Sequence, residues 1–331
     1  MPIYRKLKYK NPYTVKKNIF LFTYSILNTP TNNMFFKSIL YLLKIVFDRL
    51  AFVLLKFGFK FQTLGAINGK VFRLRAMNSQ FHSIYFDENQ ICYEPEVTAA
   101  IEVFLPQNGI FVDVGSNWGH HSISAVESKN ATVIAIEPNV AVFQDITLIK
   151  EDLDFHGNLS ILNAALGTND GTLCLIQDSF ESGSASVDEK FLNYRNEKRR
   201  WPQRLLQLLT FQRKIRNVVH VKRLDDVCAK LKHLDLIKLD CEGVELDVLK
   251  SGEETIKRYE PNILFELHIH DTTQVDIYKK FFSEFNYSIY MLRANIAESN
   301  LTIAPLNKVV IGQRYDLLAS RRLEPDWPFF N

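Results

Sequence analysis

The chain has 331 residues, 47% of them hydrophobic, with 13 Gly and 11 Pro. That length suits one large domain with an extension, or two small domains, and the composition excludes collagen-like and broadly disordered chains. Net charge is only +3 but uneven: residues 1–60 carry eleven Lys or Arg against Asp48 alone, Lys190–Arg216 carry nine against Glu197, and the remainder is acidic. Such basic stretches are either solvated faces or contacts for an anionic partner, a membrane surface or a charged substrate.

The chain starts basic (Arg5, Lys6, Lys8, Lys10, Lys16, Lys17) and then turns apolar over Ile19–Phe22. That run is short and no small-residue cleavage site follows, so it does not read as a secretory signal. Asn28–Asn33 is a breaker. Met34–Phe59 is rich in Phe, Leu, Ile and Val, interrupted by Lys37, Lys44, Asp48, Arg49 and Lys56. Its uncharged runs, Ser38–Leu43 and Leu50–Leu55, fall far short of the ~18 residues of a membrane span. At ~100° per residue Lys37, Lys44 and Asp48 stack on one side. The segment is expected to be an amphipathic helix that lies in a membrane interface, or packs on the domain or on a second subunit. Residues 1–60 thus form a basic helical extension. Cys92, Cys174, Cys228 and Cys241 make no CxxC pair and no metal-ligand spacing, as free thiols in a reducing compartment would. The expected location is cytoplasmic, with association at the membrane's cytoplasmic face as the alternative in which residues 34–59 lie in an interface.

Residues 61–108 are a lead-in: short alternating strands such as Lys70–Arg75, then a helix over Glu94–Phe104 stopped by Pro106 and Gly109. Residues 109–320 alternate strands and helices. Strands are predicted at Ile110–Val114, Val133–Ile136, Leu159–Ala165, Leu173–Ile176, Val218–Lys222, Leu234–Leu239, Ile263–Leu267, Ser288–Arg293 and Tyr315–Ala319. Helices are predicted at Trp118–Ser128, Val140–Phe155, from Val244, and at Gln274–Phe285. Residues 188–216 are a basic insertion and 321–331 a tail. Alternation of this kind implies an α/β fold with a mostly parallel sheet covered on both faces, and a ligand at the strands' carboxyl ends.

Four motifs sit at that edge. In Asp113-Val114-Gly115-Ser116-Asn117-Trp118-Gly119, Gly115 permits a sharp turn, Asn117 tolerates positive φ, and Gly119 permits close packing or close ligand approach. The helix that follows offers N–H groups to a carboxylate. A nicotinamide-dinucleotide loop would read GxGxxG, whereas Asn117 and His120 stand here. Val133–Ile136 ends in Glu137-Pro138, and an acidic side chain at this strand end can take both ribose hydroxyls. Asp235–Glu245 delivers Asp240 and Glu242 to the edge, while Glu245 favours the start of the next helix. Ile263–Asp271 places Glu266 and His268 on one face of a strand, with Asp271 as a helix cap and His270 in a loop.

Asp113–Gly119, Glu137-Pro138, Asn163-Ala164-Ala165-Leu166-Gly167, Ile237–Gly243 and Phe265–His268 follow in that order. Together they resemble the FkbM-type methyltransferases, a branch of the Rossmann-like enzymes that use S-adenosylmethionine (AdoMet). The resemblance covers about residues 90–320 and departs at Trp118, where the family often has a smaller residue. It implies a seven-stranded sheet with an antiparallel last strand, and O-methylation, often of sugar or natural-product hydroxyls. By position Asp113, Gly115, Asn117, Gly119 and Glu137 are the expected AdoMet contacts, with Ser116, Pro138 and Asn163 beside them.

AdoMet carries a carboxylate for the helix N-terminus and an ammonium for an acidic group. A hydroxyl acceptor needs a base, and Asp240, His268 and Glu242 are the candidates, with Asp240 or His268 favoured. Asp240, Glu242, Glu266 and His268 offer metal donors, but their spacing is not specific to a metal and none is assigned. Ser182–Ser186 is either a hydroxyl lining for the acceptor pocket or an ordinary polar loop, and Arg195–Arg204 with Trp201 is a solvated basic helix or a contact for a charged glycan. The expected partner is a small-molecule or glycan acceptor; a nucleic acid is not expected and the oligomeric state is open. The competing readings are a membrane-docking adaptor that keeps the fold without catalysis and a nicotinamide-dependent oxidoreductase.

Overall fold

The computed structural model describes residues 3–5, 13–16, 39–40, 43, 46, 62–75, 93–178, 181–186, 214–306 and 309–321. Five apolar runs form the parallel part of the main sheet: β5 (Ile110–Val114), β6 (Thr132–Ile136), β7 (Leu159–Leu162), β12 (Leu236–Leu239) and β13 (Asn262–His268). They are mostly apolar because both faces are covered, with Asp113, Lys238 and Glu266 as the charged exceptions. β16 (Arg314–Ser320) joins β13 antiparallel, and β14 (Ser288–Asn295) joins β16.

These seven strands have the antiparallel last strand that the family resemblance implied, but the sheet does not stop there. It has nine strands, because β15 (Asn300–Pro305) pairs with β14 and β1 (Ile3–Tyr4) pairs with β15, both antiparallel. The seven-stranded expectation is corrected accordingly: the sheet is mixed, and its outer part is antiparallel.

Helices α1 (Pro95–Phe104), α2 (His120–Lys129) and α3 (Val140–Asp152) cover one face, packing on Phe111, Val133, Leu236, Leu264 and Leu318. Helices α4 (Leu224–Cys228), α5 (Glu245–Lys250), α6 (Glu253–Tyr259) and α7 (Thr272–Ser283) cover the other, over Val112, Val114, Ile237, Leu239 and Phe265. Trp118, 1% exposed, is among the largest fully buried side chains and belongs to the first of these two cores. Asn139 caps α3 through Ala141 N, and Asp271 caps α7 through Gln274 N at 3.0 Å, as expected of Asp271.

The predicted strand Leu159–Ala165 is two strands. The chain leaves the main sheet at Asn163, whose side-chain amide donates to the carbonyls of Glu137 (2.8 Å) and Pro138 (3.2 Å). β8 (Ala165–Leu166) then enters a second sheet with β9 (Gly171–Asp178), β10 (Glu181–Ser186) and β11 (Lys214–Lys222). Ser182–Ser186 is therefore a strand, not a loop. A third sheet, β2 (Tyr13–Lys16) with the hairpin β3 (Gln62–Ile67) and β4 (Lys70–Arg75), puts strands on both sides of residue 60. Asn68 and Gly69, at φ 48° and 83°, form the hairpin turn. Asp152 of α3 accepts from Arg73 N at 2.7 Å and pairs with its guanidinium, which ties the hairpin to α3.

Residues 1–60 are not wholly helical, since β1 and β2 lie within them. Within Met34–Phe59 the described residues Ile39, Leu40, Leu43 and Val46 are helical, and Ile39, Leu43 and Val46 are exposed. The rest of that segment, Arg195–Arg204 with Trp201 and most of the basic insertion lie outside the described residues. Among the described residues no helix is long and apolar enough to cross a membrane.

Candidate active site

A cavity of about 470 Å³ opens at the carboxyl ends of β5, β6, β12 and β13, a size suited to a small ligand. One wall comes from the turns after β5 and β6 (Gly115, Asn117, Glu137, Pro138) and from Ala164–Asn169, Leu173, Leu175 and Val221 of the second sheet. The opposite wall is charged: Tyr93 and Glu94 before α1, Asp240–Glu242 after β12, Glu266 of β13 and Arg314 of β16.

The turn after β5 explains its own sequence. Gly115 sits at φ 72°, and a Cβ there would lie 1.9 Å from the Asp240 carbonyl oxygen, so glycine is needed both for conformation and for the approach of β5 to β12. Asn117 takes φ 49°. Gly119, at φ 74°, caps α2, and a Cβ there would lie 2.2 Å from Ile146 Cδ1. Its smallness serves the packing of α3, not the cavity.

Glu137 is 7% exposed and holds this turn: its Oε2 accepts from Asn117 N (2.9 Å) and its Oε1 from Asn139 N (2.8 Å). Burial pushes its carboxyl up to about 7, against those two hydrogen bonds. Each carboxylate oxygen keeps a further lone pair, and Glu137 lines the cavity, so two hydroxyls can bind it. Nearby, Ser116 Oγ and Asn117 Oδ1 are buried without a hydrogen-bond partner. Such atoms cost ~1–3 kcal/mol each, and a polar ligand group against this turn would satisfy Asn117 Oδ1, since Asn117 lines the cavity. The turn, the Glu137 carboxylate and the apolar wall of Ile136, Leu166, Leu173 and Val221 fit an adenosine-containing cofactor with a polar tail.

The charged wall is a connected network. Lys238, 5% exposed, stands opposite Asp113 in the β5–β12 register, with its Nζ 3.2 Å from Asp240 Oδ2 and 3.8 Å from Asp113 Oδ1. These anions, with Glu94, hold its ammonium well above the usual range although burial opposes it. Burial and the neighbouring Asp240 push the Glu266 carboxyl well up, against the nearby Arg314. Glu266 Oε1 pairs with His268 Nε2 (2.6 Å) and Arg314 Nε (2.9 Å). Arg314 Nη2 reaches Glu94 Oε1 at 3.4 Å, and Glu94 Oε2 lies 2.9 Å from His121 Nε2. Burial and then Arg314 lower the His268 imidazole.

Of the residues expected from sequence, Gly115, Asn117, Glu137, Pro138, Asp240 and Glu242 line the cavity; Asp113, Ser116, Gly119, Asn163 and His268 do not. Asp113 is fully buried and accepts from Ser122 Oγ at 2.6 Å. His268 pairs with Glu266, which lines the cavity. Glu245 Oε1 accepts from Cys241 N (2.9 Å) and Gly243 N (3.1 Å), so it ties down the loop before α5, and among the described residues no side-chain hydrogen bond caps that helix. Among the described residues no group of three or more His, Cys, Asp or Glu is arranged to hold a metal ion.

Sequence reasoning missed Tyr93, Glu94, Lys238 and Arg314. A lysine inside the apolar run of β12 was the available signal for Lys238, since a cation there needs buried anions. Glu94 and Arg314 are 220 positions apart and carry no local signal.

The family model described as Methyltransferase FkbM domain matches residues 113–289. Methyltransferase sdnD of Sordaria araneosa is 27% identical over 175 residues, covering 49% of this chain and 67% of that protein. Methyltransferase 1 of Beauveria bassiana (strain ARSEF 2860) is 26% identical over 172 residues, covering 49% and 66%. Among solved structures, methyltransferase FkbM from Methylobacillus flagellatus KT matches at 15% identity with a TM-score of 0.40, covering 72% of this chain and 47% of that one. The AdoMet complex of TYW2 from M. jannaschii matches at 13% identity with a TM-score of 0.37, covering 79% and 85%. With the family model spanning more than half of its length, the chain belongs to the FkbM methyltransferase family.

Proposed function

We propose that the chain is an AdoMet-dependent O-methyltransferase acting on a hydroxyl of a glycan or natural-product-like acceptor. The observation that carries this reading is one cavity joining two different walls: Gly115, Asn117 and Glu137 on one side, Asp240 and Glu266 on the other. In this reading Glu137 takes the ribose hydroxyls, the second sheet covers the adenine, and the N-terminus of α2 faces the methionine carboxylate. AdoMet supplies an electrophilic methyl on a sulfonium.

Asp240 is the base. Its side chain is partly exposed to the cavity, stands at a strand end, and has its charge offset by Lys238 at 3.2 Å. Glu242 shares the cavity wall, and His268 can serve only as a relay behind Glu266. A carboxylate base suits a hydroxyl nucleophile. On one wall, among the described residues, Glu94, Asp240 and Glu242 outnumber the single cation Arg314, which disfavours an anionic acceptor and favours a neutral polyol.

Methyl transfer from labelled AdoMet to a panel of neutral glycosides and hydroxylated small molecules tests the reading. The wild type is expected to label at least one of them. Asp240→Asn is expected to lose ~10²–10⁴-fold in rate, with AdoMet affinity within threefold of wild type. Labelling of none, or a variant that turns over within threefold of wild type, refutes it.

A further inference from the structure

We infer that Glu94 is the side chain that receives the amino group of the cofactor's methionine end. The inference rests on the AdoMet reading above and names the acidic group that the sequence left open; Asp113, one of the expected AdoMet contacts, is not placed to take that role. Asp113 is fully buried beneath the turn, hydrogen-bonded by Ser122 and absent from the cavity wall. Glu94 lines the main cavity and also the small cavity adjoining it, on the wall opposite Glu137. A ligand whose ribose is held at Glu137 must extend past Gly115 and Asn117 toward that wall.

Three further observations point the same way. Glu94 Oε2 is held 2.9 Å from Nε2 of His121, a residue in the first turn of the ten-residue helix α2. The carboxylate that would take an ammonium therefore sits beside the helix N-terminus that would take a carboxylate. Asn117, which lines the cavity on the same turn, keeps its Oδ1 buried without a hydrogen-bond partner, so a polar ligand group docking there would satisfy it. Glu94 also takes φ 41° and ψ 69° as the residue that caps α1 ahead of Pro95, so its backbone is fixed where the side chain meets the cavity.

Charge balance agrees. Among the described residues, Glu94, Asp113, Asp240 and Asp316 cluster around the cations Lys238 and Arg314, while burial pushes the Glu266 carboxyl toward its neutral form. Burial opposes ionisation of Glu94, but the hydrogen bond and charge of His121, with Lys238 and Arg314, more than offset it, so its carboxyl is held well below the usual range. An ammonium brought to this wall moves it toward neutrality.

The test is calorimetric titration with four ligands: AdoMet, S-adenosylhomocysteine, 5′-methylthioadenosine (which lacks the amino-acid moiety), and the S-adenosylhomocysteine analogue with hydrogen in place of the amino group. Glu94→Gln should weaken the first two at least tenfold, the scale of losing one charge-assisted hydrogen bond, and leave the last two within twofold. Independently of any variant, the wild type should bind the deaminated analogue at least tenfold more weakly than S-adenosylhomocysteine. Uniform weakening of all four by a variant with wild-type circular dichroism, unchanged AdoMet affinity, or a wild type indifferent to the amino group overturns the inference. If Glu94→Gln does not fold, the wild-type comparison decides. A wild type that binds none of the four refutes the AdoMet reading itself, and this inference with it.

Discussion

Replacing Gly115 by alanine tests how the cavity is built. The added Cβ would lie 1.9 Å from the Asp240 carbonyl oxygen, a backbone atom fixed by the β5–β12 pairing and unable to swing aside. Overpacking of this kind costs ~1–3 kcal/mol, and the left-handed backbone at φ 72° adds ~1–2 kcal/mol for a residue with a Cβ. The expected destabilisation is about 2–5 kcal/mol, a large share of the ~5–15 kcal/mol by which native domains are stable.

Three other glycines separate the two contributions. Gly157 has nothing within 4 Å and no positive φ, so Gly157→Ala should change stability by no more than ~0.5 kcal/mol or raise it slightly. Gly69, at φ 83° with open space around it, should show the conformational cost alone. Gly119→Ala meets Ile146 Cδ1 at 2.2 Å, but that is the tip of a flexible side chain, so its cost should fall between those of Gly69 and Gly115. Urea unfolding of the four variants, with m-values compared, measures the series. A Gly115→Ala protein as stable as Gly69→Ala would refute the steric argument and with it the close approach of the two strand ends.

Two further outcomes follow from the buried charges. Lys238→Met leaves Asp113 and Asp240 without their shared cation and should cost ~3–5 kcal/mol in urea unfolding; adding Asp113→Asn should restore part of it, and a strictly additive double variant would contradict the coupling. Glu137 is raised from 4.5 to about 7, so the folded state binds its proton more tightly than the unfolded one. Its contribution is therefore fully present below pH 4.5 and is lost as pH rises through about 7. If the ionised carboxylate takes the ribose hydroxyls as proposed, AdoMet binding below pH 7 should release a proton, seen as a buffer-dependent calorimetric enthalpy that Glu137→Gln abolishes.

The parallel part of the fold was legible in the sequence because strands buried on both faces must be apolar, as β5, β6, β12 and β13 are. The turn after β5 was legible because positive φ selects Gly and Asn, and positions 115, 117 and 119 all have it. The helix there starts at His120 and not at Trp118, because Gly119 is its left-handed cap. β10 was not legible: a Ser/Gly-rich segment has no strand signal and is ordered by pairing with β9. β15 and β1 add strands at the sheet's far edge, where long-range pairing decides and local pattern does not. The same holds at the site. The carboxylates at strand ends could be placed by counting residues, whereas the chain His121–Glu94–Arg314–Glu266–His268 exists only once α1, α2, β13 and β16 are packed together. Asp113 illustrates the converse, a residue in the motif whose side chain is buried between Ser122 of α2 and Lys238.

The central claim is that this cavity binds AdoMet through Glu137 and the turn at Gly115–Asn117. Calorimetric titration of the wild type with AdoMet, S-adenosylhomocysteine and NAD⁺ tests it most directly, alongside Glu137→Ala. The account predicts saturable binding of the first two, none of NAD⁺, and at least a tenfold loss in the variant. Binding of NAD⁺ in preference to AdoMet, or no binding of AdoMet by the folded wild type, would contradict it.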